Sequence, residues 1–261
     1  MSAQQLRVAV IGASGLVGSV LRQGLQERYD LRCFDRRPDR SAGVRRLDAR
    51  RLRPVMRALS GCDAVVDLAS VARAQAPWRD VYRVNLAVVR TVLEAARLAG
   101  VHRVVYASSN HALAGYEQQE PWASVLAGQQ SGLSATALPR VPVDAPPLPR
   151  SGYGLSKAFG EAACEWYAGT YGLSVTALRI GTVLVPDRPR RQRHLSTWLS
   201  HRDLVGLVDA ALRCPDGALP RVVWGVSANT WRVWDLAVTY PGYAPQDDAE
   251  SYRDEVTRLG G

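Results

Sequence analysis

Tyr153 and Lys157 are spaced i and i+4, so on a helix they share one face. A phenol titrating near pH 10 is a poor base at neutral pH, and a nearby ammonium favours its ionised form. Such a pair can take a proton from a hydroxyl, and the lysine can also hold a ribose. The chain has 33 basic residues, and Lys157 is the only lysine among them. Ser108-Ser109 end an apolar run and can place a hydroxyl beside the pair. Ser109, Tyr153 and Lys157 are the candidate catalytic set. Chance spacing is the alternative.

A second group of residues suits a dinucleotide. Gly12, Gly15 and Gly18 follow the apolar run Leu6 to Ile11 and open a helical pattern. Glycines between a strand and a helix let the backbone turn tightly beside a pyrophosphate, which the helix N-terminus attracts. The spacing is G-x-x-G-x-x-G, and a plain strand-to-helix turn is the alternative. Asp35 ends the second strand about 20 residues on, where a carboxylate accepts hydrogen bonds from an adenosine ribose. It favours NAD over NADP, which carries a 2′-phosphate, although Arg36 and Arg37 stand beside it. Asp48 is a weaker candidate, for the adenine amino group. Leu16, Val17, Arg36, Leu68, Ala69, Asn85 and Ile180 complete the expected cofactor contacts.

The elements that must position these groups alternate. Strands are predicted at 6–11, 31–34, 44–47, 64–68, 103–107 and 173–180. Helices are predicted from the glycine loop to about 28, at about 50–60, at 77–99 and at 151–171, the last capped by Ser151 and closed by Gly172. Alternation implies a Rossmann-type doubly wound parallel α/β sheet with right-handed crossovers. Residues 116–150 break the pattern and read as a long functional loop, mobile without substrate, on the substrate side. The last third, rich in Trp, reads as a small α/β appendage over the open sheet edge. One domain is expected over 1–261: a cofactor-binding core to about 180 and a mainly substrate-binding portion from about 181.

Composition excludes more than it selects. Hydrophobic residues make up 47% and charged residues 22%, ordinary for a globular protein. No 18-residue apolar run suggests a membrane span, and the polar opening from Met1 has no leader pattern, so a cytoplasmic protein is expected. Cys33, Cys62, Cys164 and Cys214 have no metal spacing and read as buried thiols; no metal is expected. The net charge of +9 is scattered arginine in a chain with three Asn and two Ile, as a GC-rich genome would give, so nucleic acid is not the expected partner. The surplus can attract an anionic ligand. A homo-oligomer is an open possibility.

The chain resembles the extended short-chain dehydrogenases/reductases, and more narrowly the NAD-dependent uronate dehydrogenases. The resemblance is carried by Ala107-Ser-Ser-Asn-His111, Tyr153-Gly-Leu-Ser-Lys-Ala-Phe-Gly-Glu161, Leu178-Arg-Ile-Gly181, His194-Leu-Ser-Thr-Trp-Leu-Ser-His201 and Val222-Val-Trp-Gly-Val-Ser-Ala-Asn229. It implies oxidation of the anomeric hydroxyl of a uronic acid to a lactone, with NAD taking the hydride. It also implies that Ser109 holds the reacting oxygen, that Asn110 and His111 bind sugar hydroxyls, and that Thr182 and Ser70 touch the sugar. Arg193 would pair with the uronate carboxylate, for which a guanidinium fork is suited. His111 as packing and Arg193 as part of a solvated Arg run are the rival readings. Asn85 would join backbone to the catalytic network, and Asn229 would stabilise a turn. The 116–150 loop looks longer than in those enzymes, and Leu68-Ala-Ser-Val-Ala-Arg73 replaces a Gly-rich stretch. Both differences leave open a different or larger substrate. An epimerase or dehydratase that retains NAD, a ketoreductase and a non-catalytic dinucleotide sensor are the alternatives.

Overall fold

The computed structural model describes residues 5–259; the polar opening before Gln5 lies outside the described residues. Seven parallel strands form one sheet in the order β3-β2-β1-β4-β5-β6-β7. They are β1 (Arg7–Ile11), β2 (Asp30–Asp35), β3 (Arg45–Arg46), β4 (Ala64–Asp67), β5 (Arg103–Ser109), β6 (Ser174–Ile180) and β7 (Val222–Gly225). Strand order reverses between β1 and β4, which pair from Val8↔Ala64 to Ile11↔Asp67. Ligands of such sheets bind at this switch point, beyond the carboxyl ends of the strands.

Both faces of the sheet are covered, which is why the strands read as continuous apolar runs. Successive side chains point to opposite faces. Val8, Val10, Val66 and Leu178 pack with α1 (Leu16–Leu25) and α8 (His201–Arg213). Ala9, Ile11, Val65 and Ala177 pack on the other side with α2 (Leu52–Leu59), α4 (Ala87–Ala99) and α6 (Gly152–Tyr171). The helix predicted over 77–99 is built of α3 (Trp78–Val81), a widened π turn at Tyr82–Leu86, and α4. Asn85 lies in the widened turn, a feature common at functional sites. Ser151 caps α6 by accepting from Gly154 N at 3.0 Å, and Gly172 closes it with φ +70°.

Two expectations need correction. Residues 116–150 are not a free-standing loop. They hold a 3₁₀ turn at Tyr116–Gln118 and a short helix α5 (Trp122–Leu126). Val125, Leu126, Leu138 and Val141 are buried against Trp224 and Trp234, whose rings stack 4.2 Å apart. Val141 N donates to Val233 O at 2.8 Å. The segment therefore has its own apolar core, which anchors it. The last third does not simply cover the sheet edge. Its strand β7 is the edge, paired with β6, while α7 (His194–Thr197), α8 (His201–Arg213) and α9 (Arg253–Arg258) follow the strand ends and faces.

Candidate active site

The glycine loop shows why its residues are glycine. Gly12 has φ +90°, and a Cβ there would lie 2.8 Å from Ala69 N and 2.9 Å from Leu68 C. A Cβ on Gly18 would lie 2.5 Å from Gly12 O. Loop, helix and β4 carboxyl end thus meet at van der Waals limits. Gly15 caps α1 without a side-chain partner, leaving the first N–H groups available to an anion. Asp35 faces this loop: its carboxylate accepts from Ser14 N at 3.2 Å and from Arg37 N at 2.9 Å. Arg36 is exposed. Asp48 is engaged by Arg50 at 2.9 and 2.7 Å, which holds its carboxyl down at about 2. The loop, the open helix end and Asp35 fit a dinucleotide.

A cavity of about 450 Å³ continues from the loop across the strand ends. Leu16, Val17, Leu68, Ser70 and Ile180 line it at the cofactor end, with Ser109, Tyr153 and Lys157 beyond. The parallel register places Ser109 and Ile180, the last residues of β5 and β6, side by side. The buried Lys157 Nζ donates to Ala107 O at 2.6 Å and lies 5.6 Å from the Tyr153 ring centre. Burial holds Lys157 below the ordinary lysine range, opposed by the buried Asp67 at the end of β4. Burial also dominates Tyr153, pushing its phenol up, and the nearby Ser109 hydroxyl opposes that shift. The expected lowering of Tyr153 by Lys157 is not seen, because the Lys157 ammonium is turned to the Ala107 carbonyl.

Ser109 Oγ accepts from His111 N at 3.2 Å, and the His111 ring meets Tyr153 edge-on at 5.6 Å between centres. Burial keeps the His111 imidazole below its usual range, and Arg193 adds to this. Asn85 is outside the cavity wall. Its Oδ1 accepts from Val71 N at 2.7 Å and its Nδ2 donates to Ser156 Oγ at 2.9 Å, tying the segment after β4 to α6. Asn229 clamps Trp198 O and Ala249 N.

At the far end stands Arg193. Its neighbours Arg188, Arg190 and Arg191 are exposed, while Arg193 turns inward. It donates to Glu117 at 2.8 Å from Nε and 2.7 Å from Nη2, and lies 3.4 Å from Thr182 Oγ1 and 3.5 Å from Thr197 Oγ1. Asn110 Nδ2 also reaches Glu117, at 3.3 Å. Arg193 and His111 line both this cavity and a second one of about 410 Å³, walled by Glu117, Gln118, Leu126 and Arg150. Sequence reasoning missed Glu117, Thr197 and Asp67. Thr197 follows Arg193 at i+4 and could have been found by that spacing; Glu117 carries no such signal.

A dinucleotide loop at the switch point and a Ser-Tyr-Lys set across the cleft define a nicotinamide-dependent enzyme class. The chain belongs to the NAD dependent epimerase/dehydratase family, whose model matches residues 8–234. It is 34% identical to a uronate dehydrogenase of Agrobacterium fabrum over 257 residues, 96% of this chain and 88% of that one. It is 36% identical to an L-arabinose 1-dehydrogenase (NAD(P)(+)) of Haloferax volcanii, covering 93% of this chain and 97% of the other. Among solved structures, a mutant uronate dehydrogenase from Agrobacterium tumefaciens complexed with NAD superposes with TM-score 0.82 at 32% identity, covering 98% and 90%.

Proposed function

We propose that this chain is a dehydrogenase that oxidises the anomeric hydroxyl of a sugar acid to a lactone. The observation that carries the reading is one cavity with Ser109, Tyr153 and Lys157 at one end and the inward-turned Arg193 at the other. Asn110, His111, Thr182 and Ser70 line the same cavity and would take the sugar hydroxyls. Gly12, Gly15, Gly18 and Asp35 hold the dinucleotide, with Leu16, Val17, Leu68, Ala69 and Ile180 around it. When bound, NAD supplies the hydride acceptor. Ser109 holds the reacting oxygen, and Tyr153, as phenolate, takes the hydroxyl proton while the C–O bond gains double-bond character. Lys157 is the protein's own cation beside that phenolate. Asp35 disfavours a 2′-phosphate, so NAD is preferred over NADP.

Similarity to the uronate dehydrogenase supports an anionic sugar. The Arg193–Glu117 pair favours a second reading, a neutral aldose. A panel of uronates and matching neutral aldoses, followed as NADH absorbance and repeated with NADP, separates the readings. Uronates are the better substrates with NAD, and Arg193→Met abolishes most of that advantage. Losing one partner of a charge-assisted pair typically costs about 2–5 kcal/mol, roughly 30-fold to several thousand-fold in kcat/KM. Equal use of both sugar classes, indifferent to Arg193, removes the uronate from the reading.

A further inference from the structure

Arg193 and Asn110, two residues assigned above to the substrate, both hold a carboxylate of the protein itself. Glu117 sits in the 3₁₀ turn at the start of the 116–150 segment, and its side chain is 12% exposed against 32% for Arg193. The pairing uses the Nε–Nη2 edge of the guanidinium, the edge that binds a carboxylate through two parallel hydrogen bonds. What remains on Arg193 is the Nη1 side, turned to Thr182 and Thr197 at 3.4 and 3.5 Å. A second carboxylate brought to the same guanidinium meets the first one's charge as well as a taken edge.

We propose that Glu117 is a specificity-determining residue: an internal carboxylate that a uronate must displace from Arg193, and which thereby narrows the advantage of uronates over neutral aldoses. This rests on the reading of Arg193 as the substrate's anion partner. Glu117 keeps a half-buried guanidinium paired, and unpaired charge there is costly. The outer cavity beside it, between Glu117, Gln118 and Arg150, leaves room for the displaced carboxylate.

The test compares wild type, Glu117→Gln, Glu117→Ala and Arg193→Met, using D-galacturonate and D-galactose with saturating NAD. It adds calorimetric binding of D-galacturonate to the NADH-bound enzyme, which cannot accept a hydride. In Glu117→Gln the ratio of kcat/KM for galacturonate over galactose rises about two- to fivefold, the ratio expected for a partly exposed ion pair. Galacturonate binding tightens by a similar factor. A ratio and Kd that stay unchanged or worsen in both Glu117 variants overturn the proposal, since a residue that merely props Arg193 would weaken uronate use when removed. If Arg193→Met loses galacturonate while the Glu117 variants behave as wild type, only this inference fails. If Glu117→Gln binds galacturonate and wild type does not, the inference stands and the wild-type substrate is a neutral aldose. If neither binds it, both readings fall.

Discussion

Tyr153 is buried, its ring packed at an edge-type angle against His111, so removing only its oxygen leaves the packing in place. Tyr153→Phe removes the proton acceptor, and positioned acid–base groups contribute about 10²–10⁴-fold. Turnover therefore falls by that factor, while NADH binding, read by calorimetry, stays within a few-fold. Near-normal turnover would take Tyr153 out of the mechanism. The spacing of Tyr153 and Lys157 was legible because a helix obliges i and i+4 to share a face. The direction of the Tyr153 shift was not. It depends on how deeply the phenol is buried and on Lys157 choosing the Ala107 carbonyl, and neither is a local property.

Strands and helices at 6–107 and 151–180 were legible because the strands are continuous apolar runs, each helix buries one face with its own period, and glycine and Ser151 mark where helices begin and end. The 116–150 segment was not, since Val125, Leu138 and Val141 follow no period. Their partners, Trp224 and Trp234, lie in the last third of the chain. Beside the Arg193–Glu117 pair, a second arginine reaches that segment through a backbone carbonyl. Arg179 on β6 pairs with Glu161 on α6 at 2.8 Å, both buried, stacks over Trp224 and donates to Val143 O at 2.7 Å. Glu161→Gln leaves a buried guanidinium short of its charge partner, which typically costs about 3–5 kcal/mol. Urea unfolding of Glu161→Gln should show that loss. A double replacement of Glu161 and Arg179 by apolar residues of similar volume should recover part of it. A loss below about 1 kcal/mol for Glu161→Gln would mean that water reaches the pair.

For the molecule as a whole, a formal net charge of +9 is carried almost wholly by arginine. Many of these side chains are exposed, including Arg36, Arg188, Arg190 and Arg191, while Arg193 alone of its run turns to the cavity. Composition alone could not separate those roles, because burial decides which arginine is a ligand and which belongs to the field. A positive field raises the encounter rate and local concentration of an anion, and salt weakens it, the Debye length falling from about 10 Å at 0.1 M to about 3 Å at 1 M. The Arg193 contact inside the cleft is screened less than exposed charges. With NAD saturating, raising ionic strength from about 0.05 M to about 0.5 M should therefore raise KM for a uronate several-fold and leave KM for the matching neutral aldose nearly unchanged. Substituting Arg190 and Arg191 together should flatten the uronate's salt dependence while retaining its preference over the neutral sugar, since that preference belongs to Arg193. Equal salt dependence for both sugars would mean that the surface charge plays no part in gathering substrate, leaving the arginine surplus a matter of composition.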